Sequence, residues 1–202
     1  MDELILLRHG ATEWSVSRRH TGRTDVPLTE RGEEQARALA AVVARADPSL
    51  VLVSPARRAR RTAELAGLAD YELDPDLWEW DYGGYEGIST SDIREQRPGW
   101  YLWRDGVVPG DAAHPGETAA QVGARADRVI GRALEAAGTV ALVAHGHLLR
   151  VLTARWLGLA PQDGRLFGLD TGTVSVLGFE HDERVVHRWN APAGGFGPPS
   201  GH

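Results

Sequence analysis

Two short apolar runs that each stop on a histidine and a glycine constrain this chain more than any other feature. Leu4-Ile5-Leu6-Leu7 runs into Arg8-His9-Gly10, and Thr139 to Ala144 runs into His145-Gly146-His147. Such runs are too short for independent helices and fit strands buried on both faces. A third run, Leu50 to Val53, closes on Ser54-Pro55 and leads into an arginine-rich segment with Ala59, Ala63 and Ala66 on one helical face. Each is a strand, a loop and a helix. Right-handed crossovers make such strands parallel and gather their carboxyl ends, the edge where open α/β sheets bind ligands. Arg8, His9, Arg58 and His145 therefore fall on one edge and form a cationic pocket. Helix N-termini following the loops add donors, a combination suited to a phosphate dianion, and arginine's planar fork can meet two of its oxygens.

The remaining chain reads as one α/β domain over residues 1–190. Ser15 to Asp25 is a polar loop carrying Arg18, Arg19, His20 and Arg23 around Thr21-Gly22. Thr29 caps a helix with Ala36, Leu39, Ala40 and Val43 at helical spacing, which Pro48 ends. Arg57, Arg60 and Arg61 are expected to face solvent. Tyr71 to Leu77 reads as a further strand. The alternation of aromatics, acids and glycines from Leu77 to Gly87 marks a shaped, functional loop. The irregular stretch to Pro115, with Trp100 and Trp103, reads as a partly helical cap over the pocket, about residues 80–115. Glu117 to Ala137 is an amphipathic helix stopped by Gly138, Leu149, Leu152 and Trp156 mark a helix after the third run, and Thr173 to Phe179 and Arg184 to Trp189 are strands. Residues 191–202 read as a flexible Gly/Pro-rich tail.

Composition removes several function classes. A net charge of −6 argues against nucleic acid or an anionic membrane as partner. No apolar run reaches membrane-spanning length and the N-terminus lacks the pattern of a signal peptide, so the expected compartment is the cytoplasm. There is no cysteine, which excludes thiolate nucleophiles and disulfides. Every basic residue other than histidine is arginine, which excludes Walker-type phosphate loops and Schiff-base chemistry, both of which need lysine.

Four stretches in order along the chain resemble the histidine phosphatase superfamily, which includes the cofactor-dependent phosphoglycerate mutases. Arg8-His9-Gly10-Ala11-Thr12-Glu13-Trp14 is similar to its signature, and Ser54-Pro55-Ala56-Arg57-Arg58 to its second arginine motif. Leu77-Trp78-Glu79 followed by Tyr82-Gly83 resembles its acid/base motif, and Ala144-His145-Gly146 its second histidine motif. The resemblance implies a three-layer sandwich of the phosphoglycerate mutase type: a mostly parallel central sheet flanked by helices, with a small cap. It implies His9 as nucleophile forming a phosphohistidine, with a backbone partner near Gly10 holding the other ring nitrogen. Arg8, Arg58 and His145 would hold the phosphate oxygens, and Glu79 would serve as proton donor and acceptor, with no cofactor and no metal. Ser15 stands where the family often has Asn and is taken as a further phosphate contact.

The run from Glu79 to Gly87 and Trp103-Arg104-Asp105-Gly106 look most like the branch of sedoheptulose bisphosphatase and actinobacterial acid phosphatases. Without the longer insertions of mutases, a small-molecule phosphomonoester would be hydrolysed rather than rearranged. Thr21, Gly22, Tyr82, Arg104 and His147 are the expected substrate contacts, Arg104 meeting a second anionic group. Exposed cap tryptophans would permit a homodimer. Three other readings stay open: a mutase, a phospho-ligand-binding module on the same fold, and a metal hydrolase using His145 and His147 with Asp81 and His20.

Overall fold

A computed structural model describes residues 1–195. The strands β1 (Leu4–Arg8), β2 (Leu50–Val53), β3 (Glu72–Leu73), β4 (Val140–Ala144), β5 (Thr173–Glu180) and β6 (Glu183–Pro192) form one six-stranded sheet in the order β3-β2-β4-β1-β5-β6. β1, β2, β3 and β4 are mutually parallel, so the ends of β1, β2 and β4 lie side by side, with Arg8 in register with Ala144 and Val53 with Val143. β5 and β6 run antiparallel on the other side of β1.

The helices are α1 (Glu13–Val16), α2 (Glu30–Ala38), α3 (Ala40–Ala46), α4 (Arg57–Leu65), α5 (Thr90–Gln96), α6 (Leu102–Asp105), α7 (Ala119–Glu135) and α8 (Gly146–Trp156). The twofold alternation of strand side chains divides the core between them. Leu4, Leu6, Leu52 and Leu142 pack with Val122, Val129, Leu149 and Leu152 of α7 and α8. Ile5, Leu7, Val51, Val53 and Val143 pack with Leu39, Val42, Ala59 and Ala63 of α2–α4 and the residue joining them. The result is the expected three-layer, mostly parallel α/β architecture. Among the described residues no helix is long and apolar enough to cross a membrane.

Local chemistry explains where boundaries moved. The segment opened by Thr29 breaks at Leu39 into α2 and α3, and ends at Asp47 in the left-handed conformation, φ 44°, one residue before Pro48. The strand expected from Tyr71 to Leu77 shrinks to Glu72–Leu73, because Pro75 opens a 3-10 turn capped by Asp74. The expected tail begins too early. Ala191 and Pro192 pair with Val174 and Thr173, a 3-10 turn covers Ala193–Gly195, and residues 196–202 lie outside the described residues. The cap tryptophans Trp100 and Trp103 are buried, so they supply no exposed dimer surface.

Candidate active site

At the end of β1, His9 is buried and its Nδ1 lies 2.7 Å from the Gly10 carbonyl oxygen. A carbonyl only accepts, so Nδ1 carries the proton and Nε2 keeps its lone pair, which faces the cleft that His9 helps to line. The Gly10 amide donates to Thr62 Oγ1 at 3.2 Å, and the Thr62 hydroxyl donates to the Arg58 carbonyl one turn earlier in α4 at 2.8 Å. A Cβ on Gly10 would stand 2.1 Å from the Gly32 carbonyl oxygen, so this loop touches the first turn of α2 backbone to backbone. Burial, then the charges of Arg58 and Arg8, hold the His9 ring well below the usual histidine range. The neutral form of the ring is thereby favoured.

At the end of β4, His145 is fully buried and packs edge-on to His9 with ring centroids 5.1 Å apart. Arg58 Nε donates to His145 Nδ1 at 3.2 Å, which places the His145 proton on Nε2, 2.7 Å from Ser54 Oγ. Arg58, also fully buried, spends its remaining contacts on the carbonyls of Thr24, Thr21 and Gly22 at 3.0, 3.1 and 2.9 Å. Arg58 and His145 are thus brought beside His9, in a layer behind the cleft wall. Burial first, then Arg58, depresses the His145 ring well below the usual range.

Glu79 arrives from the loop after the Pro75–Leu77 turn and is buried. Its Oε1 accepts from the amides of Trp80 and Leu148 at 2.9 and 2.8 Å, and its Oε2 from His147 at 3.0 Å. Two of those amides belong to the first turn of α8, whose positive end suits a carboxylate. The expectation that helix N-termini would be left for phosphate therefore needs correction. The first turn of α8 serves Glu79, and the Arg57 amide that opens α4 donates to Asp25 at 2.8 Å.

Arg8, His9, Glu79, Tyr82 and His147 line one cleft of about 210 Å³ with Ser15, Thr21 and Gly146. Arg8 donates to the Leu169 carbonyl, and its guanidinium lies against Gly146, where a Cβ would stand 3.1 Å from Arg8 Cζ. Burial raises the Tyr82 phenol well above its ordinary value, so its hydroxyl stays protonated, and it shares a 2.6 Å hydrogen bond with His147 Nδ1. His147 in turn packs on Trp103 and Trp80.

Two expected contacts are misplaced. Arg104 is exposed, pairs with Asp105 at 2.8 Å and lines a separate groove, because Leu102 and Trp103 take the buried side of the one-turn α6. Gly22 is buried outside the cleft, its amide tied to Glu86 and its carbonyl to Arg58. Ser15 lines the cleft, yet its hydroxyl donates to the Thr12 carbonyl at 2.9 Å within the cap of α1. The expectation that Arg57, Arg60 and Arg61 all face solvent holds for Arg57 and Arg61, whereas Arg60 is half-buried.

The family model for the histidine phosphatase superfamily (branch 1) matches residues 4–192. The chain belongs to this superfamily. Among similar proteins, an acid phosphatase of Mycobacterium tuberculosis is 42% identical over 187 residues, covering 91% of this chain and 89% of that one. Sedoheptulose 1,7-bisphosphatase of Saccharomyces cerevisiae is 38% identical over 192 residues, covering 78% and 68% respectively. A solved structure of a Mycobacterium tuberculosis open reading frame superposes with a TM-score of 0.88 at 40% identity, covering 95% of this chain and 98% of that one.

In this histidine phosphatase the cleft also has walls that sequence reading missed as ligand contacts: Thr12, Arg18, Arg19, His20, Thr90, Arg150 and Leu169. The signal for Arg150 was there, five residues after His145 on the helix that opens at the pocket. Its guanidinium stacks on the Trp103 ring at 4.7 Å. The rival metal reading finds no support in the geometry. Among the described residues no three histidines or acids stand where they could share a metal ion, and His145 has both ring nitrogens engaged.

Proposed function

We propose that this histidine phosphatase is a phosphomonoesterase that hydrolyses a small phosphorylated metabolite through a phosphohistidine at His9, without a metal. The observation that carries the reading is the unprotonated Nε2 of His9 opening onto the same cleft as Glu79. In the first step Nε2 attacks phosphorus, the ester P–O bond breaks, and a proton from the Glu79 carboxyl passes to the departing oxygen. In the second, water attacks the phosphohistidine, its proton returns to Glu79, and inorganic phosphate leaves with His9 restored. Arg8 meets the phosphate in the cleft. Arg58 has four of its donors committed to protein acceptors and one left of the five a guanidinium offers. His145 serves phosphate by exchanging its Ser54 contact for a phosphate oxygen.

Arg150, with Arg18 and Arg19, replaces Arg104 as the binder of a second anionic group, with Thr21, Tyr82 and His147 along the substrate's body. Names of the relatives, an acid phosphatase and a bisphosphatase, support hydrolysis over rearrangement and a phosphorylated sugar or acid as substrate. The cytoplasm, where such metabolites are made, is the proposed compartment. The test is phosphate release from sugar phosphates, phosphoglycerates and an aryl phosphate, with and without EDTA. Release that survives EDTA and disappears in His9→Ala is expected; release abolished by EDTA overturns the reading. Arg150→Ala should lower kcat/KM for a bisphosphate roughly tenfold more than for the matching monophosphate, the weight of one charge-assisted contact. Equal losses would remove Arg150 from the substrate.

A further inference from the structure

Arg125, in the second turn of α7, takes no place among the cleft residues, yet it gathers the whole loop that carries Glu79. It is buried, and each of its five N–H groups has an acceptor in reach. Nε and Nη2 donate to the two oxygens of Glu117 at 2.8 and 2.9 Å. Nη1 donates to the carbonyls of Asp76 and Trp78 at 2.6 and 2.9 Å, and Nη2 reaches the carbonyl of Glu79 itself at 3.4 Å. Glu117 completes the frame, since its Oε2 also accepts the Asp81 amide at 2.9 Å and its backbone carbonyl accepts Trp80 Nε1 at 2.8 Å. Residues on both sides of Glu79 are therefore tied to one largely buried ion pair, while the Glu79 carboxylate is tied to α8.

We infer that the Arg125–Glu117 pair is a positioning device for the proton donor, setting where the Glu79 carboxyl stands relative to the leaving oxygen. A structural brace anywhere along this loop could be apolar. Three convergent backbone carbonyls and a carboxylate can be satisfied together only by a planar, five-donor cation, and lysine's three donors on a single nitrogen cannot reproduce that spread. Proton transfer demands such control, because small displacements of a catalytic group cost large factors in rate.

The inference rests on Glu79 being the proton donor, and leaving-group dependence tests both. Ester cleavage needs the donor when the leaving group is a poor one such as an alkoxide, and hardly at all when it is dinitrophenolate. The measured quantity is kcat/KM, which includes the P–O cleavage step, for an alkyl phosphate and for dinitrophenyl phosphate. Glu79→Gln calibrates the assay and should depress the alkyl ester by the 10²–10⁴-fold typical of a lost general acid, with far less effect on the dinitrophenyl ester. Arg125→Lys should show the same selectivity at smaller size, about tenfold more loss on the alkyl ester. Glu117→Gln, which keeps an acceptor for Nε, is the milder companion should the lysine variant fold poorly, and is expected to lose in the same direction. Equal losses on both esters in folded Arg125→Lys and Glu117→Gln, beside a selective Glu79→Gln, would overturn the positioning role alone. An unselective Glu79→Gln would overturn the reading of Glu79, and the inference with it.

Discussion

The ends of β1 and β4 are near copies of each other, and they do different work. Each is an apolar strand closing on His-Gly, the two are adjacent and parallel, and both rings are held neutral by burial among the same arginines. The His9 ring spends one nitrogen on its own loop and turns the other to the cleft. The His145 ring spends both on protein, accepting a hydrogen bond from Arg58 and donating one to Ser54. The local motif brings an imidazole to the sheet edge, and the hydrogen-bond partners then decide whether it is a nucleophile or a support.

Substitutions should separate the two. His9→Ala is expected to abolish turnover and the acid-labile phosphoryl label that brief incubation with labelled substrate leaves on the protein. Any such label surviving in His9→Ala would place the nucleophile elsewhere. His145→Gln should still be labelled but turn over roughly 10²-fold more slowly, the cost of one lost transition-state donor. A label-free His145→Gln would mean that the two strand ends are not divided as described. Thr62→Val leaves the buried Gly10 amide without its acceptor and should lower stability by about 1–3 kcal/mol in a denaturant titration.

Acidification addresses what the two rings share. Both have folded-state values below the unfolded value of 6.5, so the unfolded chain binds more protons in the window beneath 6.5. Stability is then present in full above 6.5 and falls as pH drops, by at most about 1.4 kcal/mol per pH unit for each ring. Thermal unfolding of the parent between pH 7 and 5 should fall, and less steeply in His145→Gln. An unchanged slope would show that His145 is already open to protons in the folded state.

The nucleophile's surroundings were legible because they are local. Apolar runs, a terminal His-Gly and the order of four motifs fix the sheet edge, and the requirement for a backbone partner at the second His9 nitrogen is met by the adjacent residue. Arg104 was misread for the opposite reason: which side of a one-turn helix faces the pocket depends on Trp80, His147 and Arg150, distant in sequence, and their demand for Trp103 turns Arg104 outward. Arg125 was invisible for a related reason. Its acceptors are mostly backbone carbonyls, which carry no sequence signal, and its helix pattern marks it only as one more polar position.

The backbone contact between Gly10 and Gly32 governs where this molecule can breathe. With Thr29 donating to the Ala11 carbonyl and the Gln35 side chain bridging the Ala11 amide to Thr171, the nucleophile loop, the start of α2 and the segment before β5 interlock largely backbone to backbone. Amide hydrogens there should exchange with solvent together, in the slowest cooperative unit of the fold. The nucleophile is thus a fixed anvil, and substrate must enter and phosphate leave without help from motion of its loop.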